Sequence, residues 1–190
     1  MDFERTCFKF NVCQFIYVPN WQYDRFERET DQPGMETLFY EEGYINMYFA
    51  SSVRSGGDTV GGYAWFPGGP DIVLIRKANI TTKTISHELG HFFGLYHTFE
   101  DGFGLETVDG TNCTVAGDLI CDTEADDQDA EVDPTNCNMT NNLTDPNGAY
   151  LLVPSNNIMS YHPDMCRTLF TPGQASRMIW NYLNNRSYLR

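Results

Sequence analysis

Apolar positions in the first half of the chain fall into short runs separated by turn residues. Phe8 to Val18, Tyr44 to Ser51 (YINMYFAS), Gly62 to Phe66 (GYAWF) and Asp71 to Arg76 (DIVLIR) form such runs, and alternating segments set between turn signals read as strands. Between the first two, the charged and aromatic stretch Tyr23 to Thr30 predicts a short helix that Pro33 and Gly34 bring to an end. The period changes after Thr81. Thr82 or Thr84 can cap a helix, and Ile85, Leu89, Phe92 and Phe93 give an apolar stripe that lasts to Gly94. Beyond His97 the chain is rich in Gly, Asn and Asp, with little periodicity to about Ser155. That is too long for a plain loop unless cross-links or a cation order it. Thr171 before Pro172 is a good N-cap and N1 pair, and Ala175, Met178, Ile179 and Leu183 share a face, so a closing helix is predicted over 171–183.

The pattern is that of a mixed α/β (α+β) chain, and 190 residues suit one domain with a real hydrophobic core. We expect a single domain over 1–190, with an N-terminal lobe of about 1–97 and a C-terminal lobe of about 98–190. The longest apolar runs, such as Ile72 to Ile75, fall far short of a membrane span. A net charge of −14 repels nucleic acid and anionic lipid alike, so neither is expected as a partner. Six cysteines (Cys7, Cys13, Cys113, Cys121, Cys137, Cys166) form no CxxC pair. Disulfides in an oxidising compartment fit this spacing better than a structural zinc site, which presents close-spaced pairs. Sequons start at Asn79, Asn112, Asn138, Asn142 and Asn185. No apolar stretch of signal-peptide length opens the chain, so an export signal is expected to have been removed or to lie upstream.

The central feature is HELGHFFGLYH, residues 87–97. His87 and His91 are four apart, so on a helix they stand one turn above each other on one face, where two imidazoles can share a zinc ion. Glu88 is then directed at a water polarised by the metal rather than at the metal, in the position of a general base. Gly94 lets the backbone leave the helix sharply and return His97 as third ligand. Three protein ligands and one open position make a catalytic rather than a structural zinc site. Any one histidine on a helix is usually structural. Three of the chain's four within eleven residues, with an acid and a glycine between them, are not so easily explained.

HExxHxxGxxH is the metzincin signature, which also requires a methionine turn below the metal, and NIMSYHPDMC (157–166) supplies one. LYHTFE (95–100), GDLICDT (117–123), NIMSY (157–161) and CRTLFTPGQASRM (166–178) resemble the pappalysin family, including its bacterial and archaeal ulilysin-like members, over about residues 44–183. The resemblance implies a metzincin-like fold. A small twisted mixed β-sheet and an active-site helix form the N-terminal lobe, and an irregular disulfide-bonded C-terminal lobe ends in a helix. It implies Met159 under the imidazoles and Tyr161 stabilising the oxyanion of the tetrahedral intermediate. Cys137–Cys166 is a bridge by resemblance, which makes Cys113–Cys121 the local pair. Cys7 and Cys13 are left over, too far apart to bond across one straight strand. Family members carry a further strand and a long helix ahead of the segment matching Phe8 to Val18, and there is no room for them here.

Structural calcium is common in such proteases, and Glu100, Asp118, Asp122 and Thr123 occupy the matching segments with hard oxygen ligands. The bland reading is a solvated acidic loop. An EF-hand starting at Asp122 is excluded, because its sixth position is Asp127 rather than Gly. GGYAWFPGG, with Ala64 and Trp65 at its centre, looks like the edge strand that receives an extended peptide through main-chain hydrogen bonds. Asp164 falls where some members place an acid at the floor of the S1′ pocket, which favours Arg or Lys after the scissile bond. Its rival reading is a turn-forming Asp after Pro163. The expected function is a secreted zinc endopeptidase acting on protein or peptide. The alternatives are a silent metzincin-fold binding module, a fragment of a larger protease, or a zinc hydrolase of non-peptide amides.

Overall fold

The computed structural model describes Phe3, residues 6–19 and residues 21–190. In chain order the elements are β1 (Arg25–Glu27), α1 (Arg28–Phe39), β2 (Asn46–Ala50), β3 (Ser52–Ser55), β4 (Asp58–Thr59), β5 (Gly62–Ala64), β6 (Ile72–Arg76), α2 (Thr84–Phe92) and α3 (Pro172–Asn185). Contacts group the chain into two compact units. Phe8–Phe93 and Asn181–Arg190 form one; Gly94–Trp180, with Phe3, Thr6 and Cys7, forms the other.

In the first unit β2 and β3 follow each other across Ser51 and build two small mixed ladders. β2 lies parallel to β6 from Asn46↔Ile72 to Ala50↔Arg76, and β6 pairs antiparallel with β5. The order β2-β6-β5 leaves β5 at an edge. β6 is flanked on both sides, and Ile72 to Ile75 have no exposed surface. This is why the run reads as continuously apolar rather than alternating. The second ladder, β1-β3-β4, closes through Gly56 and Gly57, whose φ values of 62° and 89° are those a two-residue hairpin turn requires. Phe26, Met35, Ala50, Val53, Tyr63 and Leu74 form the core cluster of this unit.

Two expectations need correction here. Phe8–Val18 is no strand: it has no regular structure and much of it is exposed. Phe8 and Phe10 do stack, their rings 6.0 Å apart and both against Phe93. The period-2 pattern therefore records ring packing without a neighbouring strand. The helix near Tyr23 starts later and continues through Pro33 to Phe39. Pro33 is exposed, so the Glu29 carbonyl it leaves unbonded within the helix lies on the solvated side. Buried partners fix the other side: Asp31 accepts the Glu27 N–H at 2.8 Å, and the Gln32 Oε1 accepts from the Tyr63 hydroxyl at 2.8 Å and the Trp65 indole at 3.2 Å.

The second unit carries little regular structure besides the first part of α3. Disulfides Cys113–Cys121 and Cys137–Cys166 cross-link it, while Cys7 and Cys13 are free and exposed. Its interior holds Leu95, Ile120, Ile158, Met159, Phe170 and Met178. α3 opens on a capping box. The Thr171 hydroxyl accepts the Gln174 N–H at 3.1 Å, and the Gln174 side chain accepts the Thr171 N–H at 3.0 Å. No described helix is long and apolar enough to cross a membrane.

Candidate metal centre and active site

α2 begins with Lys83 rather than a threonine at the N-cap, and the Thr82 hydroxyl accepts the Thr84 N–H from one residue outside at 3.3 Å. His87, Glu88 and His91 are all buried. The His87 and His91 rings stand edge to face, with their Nε2 atoms 3.1 Å apart. α2 ends at Phe92 with Phe93 as its C-cap, Gly94 takes φ 87°, and three residues later His97 completes the group. One ligand atom from each of His87, His91 and His97 lies within 4.8 Å of the others. Nitrogens bound tetrahedrally at about 2.1 Å stand roughly 3.4 Å apart, so the three imidazoles fit a zinc ion.

Burial pushes the Glu88 carboxyl up to about 8. A divalent cation beside it lowers such a value again. Glu88 reaches β5, where a methyl group on Gly62 would meet the Glu88 side chain at 3.0 Å and the Leu74 carbonyl at 2.7 Å. Glycine at 62 is therefore what lets the edge strand approach the acid.

Tyr161 is exposed, its ring centroid 4.7 Å from His97 and 4.8 Å from Phe99. Met159 is fully buried. Its carbonyl accepts the Thr98 N–H at 3.3 Å, and its N–H donates to Asn157 at 2.9 Å. Asn157 exchanges two amide hydrogen bonds with Gln174 of α3, at 3.0 and 3.1 Å. Asp126, which no motif marked, accepts from the Thr98 hydroxyl at 2.5 Å and lies 3.2 Å from His162 Nε2. It thereby ties the residue after His97 to the residue after Tyr161.

The acidic residues separate. Asp118 and Thr123 meet, the threonine hydroxyl donating to Asp118 at 2.9 Å. Asp122 instead accepts from the Thr171 hydroxyl and the Gly173 N–H, both at 2.7 Å, at the start of α3. Glu100 accepts the Gly102 N–H at 2.9 Å. Among the described residues these carboxylates do not converge as a group of three. Glu106 takes a place that the sequence did not mark. Glu106 Oε2 and Asp118 Oδ2 are buried with no hydrogen-bond partner. Burial, then the charge of Asp118, pushes Glu106 up to about 7; burial raises Asp118 to about 6. Asp164 has 43% of its side chain exposed and pairs with Arg167 at 3.1 Å.

On β5, Ala64 stands at the open edge. The Trp65 side chain does not join it: its indole bonds Gln32 and lies under the Arg28 guanidinium, 4.5 Å from the ring centroid. The exposed aromatic is Phe66, whose ring is 5.4 Å from His91. Alternation carried that signal, since Tyr63 and Trp65 turn inward and Phe66 follows the other parity.

A sequence profile of peptidase family M43, described as pregnancy-associated plasma protein-A, matches residues 29–183. The chain belongs to the M43 family. It is 32% identical over 169 residues to an extracellular metalloprotease of Pyricularia oryzae, covering 80% of this chain and 53% of that protein. It is 29% identical over 202 residues to an extracellular metalloprotease of Arthroderma gypseum, covering 95% and 62%. This M43 chain thus spans little more than half the length of these relatives. A solved structure of mirolysin in complex with compound 9 aligns with TM-score 0.53 at 23% identity, over 86% of this chain and 64% of that one. That likeness is one of fold.

Proposed function

We propose that this chain is the catalytic part of a secreted zinc-dependent endopeptidase that hydrolyses peptide bonds in extended polypeptides. The observation that carries the reading is the convergence of His87, His91 and His97 next to a buried glutamate. Zinc held by these three would polarise the scissile carbonyl and acidify a water. Glu88, buried next to the histidines, takes the proton of the attacking water and hands it to the leaving amine. Tyr161, exposed beside His97, donates its hydroxyl to the oxyanion. Met159 packs as a structural floor. The open edge of β5 at Ala64 receives the substrate backbone as an added strand. Names of the relatives support secretion.

A preference for Arg or Lys after the scissile bond rests on Asp164. Arg167 already holds one of its oxygens, so the preference is small, about fivefold for a half-exposed pair. Calcium is proposed at Glu106, Asp118 and Thr123 rather than at Glu100 and Asp122. Two buried, unpartnered carboxylate oxygens are the hard ligands a cation of this kind needs.

The test is cleavage of denatured casein and of peptides with Arg, Lys, Leu or Glu after the scissile bond, with and without a zinc chelator. Chelator-sensitive cleavage is expected, slightly faster before Arg and Lys. Equal rates for all four would remove Asp164 from the account. No cleavage by a folded, zinc-loaded sample would replace the protease with a silent binding module.

A further inference from the structure

The loop that follows β5, Trp65 to Asp71 (WFPGGPD), is closed from outside its own ladder. The Trp65 N–H donates to the Ile72 carbonyl at 3.3 Å, but the Ile72 N–H turns to Pro70 at 2.8 Å and does not return the bond. The Trp65 carbonyl therefore leaves the sheet. Arg186, fully buried just past the end of α3, takes it: Nη2 donates to the carbonyls of Trp65 and Phe66, each at 3.0 Å. At the far end of the loop its Nη1 pairs with the Asp71 carboxylate. Tyr188 and Tyr40 hydroxyls also donate to that carboxylate, at 2.9 and 3.1 Å. The same guanidinium stacks 3.7 Å from the centroid of Phe92, which follows His91 in α2. Phe66, held by its carbonyl, sets its ring against His91.

We propose that Arg186 is a positioning residue for peptide cleavage: it clamps the 65–71 loop so that Phe66 is fixed beside His91 and the outer edge of β5 is held straight for substrate. This rests on the proposed peptidase reading. The site calls for a planar, multi-donor cation. A lysine can neutralise Asp71 but cannot reach two carbonyls and a ring face together.

The experiment compares the parent with Arg186→Lys in the zinc-loaded full chain. Amide hydrogen exchange over 62–71, zinc stoichiometry, and kcat and KM on a long and a very short peptide are all measured. Lysine is expected to speed exchange across 64–69 and to leave zinc bound. It should lower kcat/KM on the long peptide by about tenfold or more, mainly through KM, with less effect on the short one. Unchanged exchange would overturn the proposal, as would equal losses on both peptides. Should neither protein cleave anything, the peptidase reading fails by itself, and the exchange result alone decides the clamp. If Arg186→Lys does not fold, Pro67→Gly loosens the same loop with the ion pair intact. It should raise KM for the long peptide in the same way; an unaltered KM would reject the clamp.

Discussion

At Gly62 a hydrogen stands where a methyl group has no room, between the Leu74 carbonyl and the side chain of Glu88. Replacing it with alanine forces β5 away from α2. We expect Gly62→Ala to cost about 1–3 kcal/mol, as overpacking does, and to slow cleavage more than its stability loss explains. Thermal unfolding and kcat/KM measured together check this, and an unshifted Tm with parental activity would contradict it. The sequence carried the motif histidines because metal geometry dictates their spacing: His87, His91 and His97 are readable without a fold. Glu106 was not readable. What marks it is a carboxylate oxygen buried without a partner next to Asp118, a property of distant segments meeting, and nothing in its local sequence announces it.

α1 and α3 show how far an element can be read before its neighbours are known. α3 was legible from Thr171, Pro172 and its apolar face because those signals are local. α1 was not, since Pro33 is a stop signal, and what holds the helix beyond it includes tertiary bonds from Tyr63 and Trp65 to Gln32. Phe8–Val18 failed in the opposite direction, with the right alternation and no strand to pair with. The Gly56-Gly57 hairpin is marked locally, by two adjacent glycines of positive φ. α3 also matters beyond itself, because Gln174 caps it and holds Asn157 at the head of the methionine turn. Gln174→Ala leaves the Asn157 amide and the Thr171 N–H without those partners in a buried site. The expected loss is about 2–4 kcal/mol, read as a fall in Tm of about 5–15 °C. A change under about 1 °C would show that the turn does not depend on this contact.

The second unit, with little regular structure, needs other sources of order, and the cross-links and the proposed cation are the two at hand. Reducing Cys137–Cys166, which closes a sequence separation of 29, should destabilise the chain by about 3–4 kcal/mol on chain entropy. Calcium at about a hundred times its Kd should stabilise it by about 2.7 kcal/mol. Asp118→Asn should abolish that response while Asp122→Asn leaves calcium binding in place; the reverse ranking in a thermal titration would return the site to the residues first expected. The return of Asn181–Arg190 to the first unit was not legible, because Arg186 meets Asp71 across 115 residues of sequence. The central claim is that Glu88 acts as the base of a zinc peptidase, and the most direct measurement is zinc stoichiometry and turnover of Glu88→Ala beside the parent. The account predicts equal zinc binding and at least about a hundredfold lower turnover. Near-parental cleavage by Glu88→Ala would contradict it.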